Sequence, residues 1–135
     1  MNNVIQITKD ATRKYTKDHE WVSFDADIAT VGITDYAQGA LGELVFVDLP
    51  EVGSSFSKGE SFASVESVKA ASDVYAPISG TVTDVNSNLQ GESSTVNKDP
   101  FGAGWLAKFK VDNPDQNHLL DEAAYKKLLD SLKKK

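Results

Sequence analysis

The chain has 135 residues, enough for one domain with an apolar core, and its hydrophobic and charged fractions, 40% and 25%, are those of an ordinary globular protein. A net charge of −6 argues against a nucleic-acid or anionic-membrane surface, because both are bound through clustered lysines and arginines. With no cysteine, the chain can build no disulfide frame, thiolate metal site or catalytic thiol, so any redox sulfur has to come from a cofactor.

No apolar run reaches transmembrane length, and MNNVIQITKDATRK lacks the charged-then-apolar order of a secretory signal. The expected location is the cytoplasm if the source is bacterial, or the mitochondrial matrix if it is eukaryotic and a transit peptide has been removed.

Residues 1–14 read as an N-terminal extension, 15–111 as one β domain and 112–135 as a helical segment packed on it. Short segments rich in β-branched and aromatic residues follow one another between Gly, Asp, Asn and Ser clusters, a rhythm that means sandwich or barrel. Glu20 to Phe24 and Asp27 to Ile33 pair as a hairpin through Asp25-Ala26. Thr34 caps a short helix running to Leu41, with Gly42 permitting the exit. LVFVDL, Leu44 to Leu49, is apolar on both faces except at Asp48, as expected of a strand inside a sandwich.

Phe62 to Val68 and Val74 to Ile78 are two further strands, and Gly80 to Val85 follows a turn at Pro77 to Gly80. NSNLQGESSTVNKDPFGAG reads as a long polar surface loop before a last strand, Trp105 to Val111. Asn113-Pro114 and Asp121 are helix-start signals, and Tyr125, Leu128, Leu129 and Leu132 recur at helix spacing. The basic residues Lys126, Lys127 and Lys133 to Lys135 are a solvated helix end, where cations complement the dipole.

Between two of the strands lies ESVKAASD, Glu66 to Asp73, one lysine among small residues. A lysine in a turn is ordinarily solvated and inert, and its spacing alone says nothing more. The surrounding stretches do: YTKDHEWV (Tyr15 to Val22), VGITDYAQGALGELVFVDLPEVG (Val31 to Gly53), ESVKAASDVYAPISGTV (Glu66 to Val82) and VNKDPFGAGWL (Val96 to Leu106). With these blocks in this order, the chain resembles the H proteins of the glycine cleavage system. Ser67-Val68-Lys69-Ala70 follows their pattern, where lipoyl domains of 2-oxoacid dehydrogenases usually carry Asp-Lys-Ala.

The resemblance implies a mainly β fold, a lipoyl/biotinyl-like flattened barrel or sandwich (a barrel-sandwich hybrid), with a short helix after residue 34 and C-terminal helices. It implies that lipoic acid is joined by an amide to Lys69, with Glu66, Ser67, Val68, Ala70 and Asp73 as recognition residues around the attachment. Small neighbours leave a modifying enzyme room to reach the amine. It further implies a monomeric, non-catalytic carrier. Such a carrier takes the aminomethyl group of glycine from a pyridoxal-phosphate decarboxylase (P protein) to a tetrahydrofolate-dependent aminomethyltransferase (T protein). The dihydrolipoyl electrons then pass to a flavin dihydrolipoyl dehydrogenase (L protein), and a lipoate-attaching enzyme is a fourth partner. Glu20 matches a position implicated in holding the amine, and His19 reads as a packing or hydrogen-bonding residue.

Two positions depart from the family pattern. Ala40 stands where some members carry a histidine that can contact the arm, and Ser93 replaces a common proline. A biotin carrier is disfavoured because its lysine normally lies between two methionines, and Met1 is the only methionine here. A Ser-His-Asp enzyme would need His19 or His118, with no nucleophile elbow in sight. The isolated histidines and the carboxylate spacing suggest no metal site. GAGW, Gly102 to Trp105, lacks the glycine-lysine ending of a phosphate loop. A lipoate relay or an unmodified H-like scaffold is the serious competitor, since either would share the shape.

Overall fold

The computed structural model describes residues 13–111 and 119–133. Nine strands form two antiparallel sheets among these residues. They are β1 (Arg13–Tyr15), β2 (Glu20–Asp25), β3 (Ile28–Ile33), β4 (Leu44–Asp48), β5 (Ser55–Phe56), β6 (Ser61–Ser67), β7 (Ala71–Tyr75), β8 (Gly80–Val85) and β9 (Ala107–Val111). The larger sheet has the order β1-β2-β3-β9-β8-β5, and the smaller one the order β4-β6-β7. Helices α1 (Asp35–Leu41), α2 (Thr95–Lys98) and α3 (Glu122–Lys133) and a 3₁₀ turn at Ser87–Gln90 complete the chain.

The inward residues of the two sheets meet in one core. Val22, Val31, Val82 and Phe109 from the larger sheet and Val47, Val65 and Val74 from the smaller are each almost fully buried. Phe56, Phe62 and Phe109 bind the sheets together edge to face, with the Phe62 and Phe109 centroids 5.2 Å apart. This is the expected β sandwich.

A second cluster attaches the C-terminal helix. Asp121 caps α3 by accepting from the Ala124 N–H at 2.8 Å, and Tyr15 and Leu120 exchange backbone hydrogen bonds of 2.8 and 2.7 Å. The Tyr125 ring stacks on Tyr15 at 4.6 Å, with Leu128 and Leu129 beside it. Of the residues at helical spacing, Tyr125, Leu128 and Leu129 thus form a docking face, and the side chain of Leu132 falls outside the described ones. One C-terminal helix lies in the described residues; residues 1–12, Asn113-Pro114 and His118 fall outside them.

Four expectations are corrected. The strand expected over Val74 to Ile78 runs instead from Ala71 to Tyr75, so the turn between β6 and β7 is shorter than the stretch Glu66 to Asp73 suggested. The β2–β3 turn is Ala26-Asp27, because Asp25 pairs with Ile28 and Ala26 takes a positive φ of 55°. LVFVDL is not buried on both faces: Val45 and Phe46 are 57% and 48% exposed, since the β4–β6 register shifts between Leu44 and Phe46. Finally, the polar loop before β9 is anchored rather than superficial. Leu89 and Val96 are wholly buried, and Asn86 Nδ2 donates to the carbonyls of Ala103 and Trp105 at 2.8 Å each.

Leu89→Ala removes a core anchor from a segment that is mostly polar. It should lower the unfolding free energy by about 2–5 kcal/mol, measured by urea denaturation, whereas a surface-loop leucine would cost roughly 0.5 kcal/mol or less.

Candidate attachment site at the β6–β7 tip

Strands β6 and β7 are joined by Val68, Lys69 and Ala70. Ser67 closes this short turn. Its N–H donates to the Ala70 carbonyl at 2.7 Å, and its hydroxyl also donates to that carbonyl, at 3.2 Å. The same Oγ accepts from the N–H groups of Lys69 and Ala70 at 3.3 and 3.1 Å. A serine does this well because one hydroxyl both donates and accepts. The tip is therefore rigid, and Lys69 projects from it exposed.

The remaining expected recognition residues are divided by the geometry. Glu66, Val68 and Ala70 are exposed at the tip, Val68 at 86%, with Ala71 and Ser72 exposed beyond it. Ser67 is 6% exposed and its hydroxyl is spent inside the turn, so its part here is holding the tip. Asp73 is not a turn residue; it lies within β7, opposite Ser64.

The end of the Lys69 side chain reaches the end of α1. Thr34 Oγ1 caps that helix by accepting from the Ala37 N–H at 3.3 Å, and the chain leaves it through Gly42 at φ 86°. A Cβ added to Gly42 would meet Lys69 Cε at 3.4 Å and Nζ at 4.0 Å, ordinary contact distances, so the end of the lysine side chain lies over this glycine as its bed. An exposed amine, small neighbours and this side-chain-free bed fit an amide-linked arm.

Asn97 of α2 fixes that bed, a part of the site that the sequence did not disclose. Its Oδ1 accepts from the Leu44 N–H, and its Nδ2 donates to the Gly42 carbonyl and to Gln38 Oε1, each at 2.9 Å. Ala40 lies on the same helix, between Gln38 and Gly42, and offers no side-chain polar group.

Glu20 is elsewhere. It begins β2 and lines a cleft of about 300 Å³ with Thr16, Lys58, Tyr75, Pro77 and Leu120. Only 3% of it is exposed. Oε1 accepts from Thr16 Oγ1 at 2.7 Å and Oε2 from the Tyr75 N–H at 3.1 Å. Burial dominates these two hydrogen bonds and, with help from the nearby Asp18 charge, pushes its carboxyl up to about 7. Tyr75, whose N–H binds Glu20, is four residues along β7 from Ala71, about 13 Å at strand rise below the turn that carries Lys69.

His19 has the hydrogen-bonding role read for it. Its Nδ1 meets Tyr125 Oη at 2.8 Å, and Tyr125 Oη meets Thr34 Oγ1 at 2.7 Å. Burial lowers the imidazole pKa, which favours a neutral ring at this contact. Among the described residues no cluster of three or more potential ligands could hold a metal, and no helix is long and apolar enough to cross a membrane.

Asn97→Ala should cost about 1–3 kcal/mol in urea unfolding, because the Leu44 N–H and the Gly42 carbonyl lose their partner. Asn97→Asp should recover little of it, since a carboxylate keeps the acceptor for Leu44 and loses both donors.

The chain matches the model of the glycine cleavage H-protein family over residues 13–132. It is 56% identical over 120 residues to a glycine cleavage system H protein of Xanthobacter autotrophicus, covering 88% of this chain and 96% of that one. It is 57% identical over 114 residues to one of Thermotoga maritima, covering 84% and 92%. The crystal structure of a glycine cleavage system H protein from Mycobacterium marinum superposes with a TM-score of 0.82 at 41% identity, covering 89% of this chain and 98% of that one. A family match over nearly the whole of the described chain, and relatives above half identity, make this chain a member of the glycine cleavage H-protein family.

Proposed function

We propose that this H protein carries lipoic acid as an amide on Lys69 and serves as the mobile carrier of the glycine cleavage system. The observation that carries the reading is the tip itself: an exposed lysine on a turn locked by Ser67, the end of its side chain beside Gly42. When attached, the dithiolane supplies a disulfide that takes up the aminomethyl group of glycine and, once that group has passed on, a dithiol for reoxidation.

The chain's own residues supply presentation and shelter. They catalyse none of the steps. A rigid tip gives each partner the same approach to one amine, and a cysteine-free body offers no thiol to trap a disulfide. Glu20 is the group proposed to face the amine, since a carboxylate in a cleft is the natural counterion of an ammonium. The partners are then the decarboxylase, the aminomethyltransferase, the dihydrolipoyl dehydrogenase and a lipoate-attaching enzyme, with the acidic surface steering transient encounters.

Incubation with a lipoate–protein ligase, lipoate and ATP should raise the intact mass by one lipoyl group, and Lys69→Arg should abolish the gain without altering circular dichroism. Glycine with the purified decarboxylase should then load the acylated chain. A chain that gains lipoate but never loads would be a relay, and one that never gains it a scaffold.

The loaded form should also show a pH signature. Without the arm the Glu20 carboxyl is pushed up to about 7, and an ammonium facing it draws that value down, so in the loaded form the hold is lost only as the pH falls below about 7. The lifetime of the loaded wild type should exceed that of Glu20→Gln severalfold at pH 8, and the gap should close as the pH is lowered from 7 toward 5, followed by mass spectrometry.

A further inference from the structure

One apolar surface beside the tip is exposed and has no partner among the described residues. β4 is an edge strand, and the bulge between Leu44 and Phe46 turns two consecutive residues, Val45 and Phe46, outward together. A regular strand would send one of them inward. Leu44 lies opposite Ser67 and Phe46 opposite Glu66, so the bulge flanks the end of β6 from which Val68 and Lys69 project. An exposed valine and phenylalanine on a sheet edge, with the exposed Val68 on the adjoining turn, are an aggregation hazard unless something uses them.

Acidic groups border this surface. Glu43 precedes β4, Glu66 stands opposite Phe46, and two register pairs further on Asp48 and Asp73 flank Ser64 from either side; all four acids are exposed. An apolar centre with a charged rim is the anatomy of a protein interface, and here it calls for a partner with an apolar seat and a basic border.

We propose that Val45, Phe46 and Val68 form the docking face for the enzyme that acylates Lys69. The inference rests on the assignment of Lys69 as the acylated residue and adds which partner reads the adjoining surface. Bond formation selects that partner. Nζ, after giving up a proton to solvent, attacks the carbonyl carbon of a lipoyl–nucleotide mixed anhydride. The amide C–N bond forms, the C–O bond to phosphate breaks, nucleoside monophosphate leaves with the electron pair, and the nitrogen sheds a second proton. This active site must close over Nζ itself, within a lysine's length of the bulge. The enzymes that use the finished arm react at its far end, a full lipoyl length beyond Nζ, so their chemistry does not bring an active site down onto the bulge.

The test uses the full chain without lipoate, with lipoate–protein ligase, lipoate and ATP, and follows initial rates by intact mass over a range of chain concentrations. Val45→Thr/Phe46→Thr keeps strand propensity on an exposed edge and should leave the melting temperature unchanged. KM for the chain should rise about tenfold with kcat nearly constant, and Phe46→Leu should restore much of the loss. Prolonged incubation with excess ligase then gives fully acylated variant, whose glycine-dependent loading by the decarboxylase should match wild type. Unchanged kcat/KM in the double variant would overturn the proposal, as would an equal loss in acylation and loading. Failure of the wild type itself to gain lipoate would strike instead at the assignment of Lys69, so the two failures are told apart.

Discussion

The hydroxyl of Ser67 is the point on which the site depends. Within a turn of three residues it accepts from two backbone N–H groups and donates to the Ala70 carbonyl, so the backbone polar groups that a sharp turn would leave unpaired are satisfied locally. A looser loop would let the lysine wander over many orientations, and every partner would have to bear the entropy of ordering it. Here that order is built in, and the side chain most responsible is buried beneath the residue it presents.

The support extends from the tip through the fold. The sandwich core holds β6 and β7, while Lys69 lies against the end of α1, which belongs to neither sheet. Both ends of α1 are pinned from afar. Thr34 at its start shares a hydrogen bond with Tyr125 of the C-terminal helix, and Gly42 at its end is held by Asn97 from the segment before β9. The late parts of the chain thus position the platform under the lysine, which gives the C-terminal helix and the polar loop a role in the site beyond closing the core.

Much of this was legible in the sequence, for identifiable reasons. Strands and the α3 face follow from local alternation and periodicity, and the Thr34 and Asp121 caps from single side chains acting within one turn. Lys69 itself stood out only because the surrounding blocks resemble a family. What stayed hidden was tertiary or conformational. Ala26 carries no mark of the positive φ it adopts, and the β4 bulge that exposes Val45 and Phe46 leaves LVFVDL looking like a buried strand. Leu89 and Val96 lack periodic company in a polar stretch. Asn97 owes its importance to groups more than fifty residues away. Ser67 was expected to face an enzyme, yet it faces its own backbone.

The account stands or falls on what is joined to one nitrogen. The most direct measurement is peptide mapping by mass spectrometry of the protein taken from its native cell during growth on glycine. The account predicts one lipoyl amide on the peptide containing Lys69 and none on any other lysine. An unmodified Lys69 in cells that cleave glycine through this chain, or a lipoyl group on a different lysine, would contradict it.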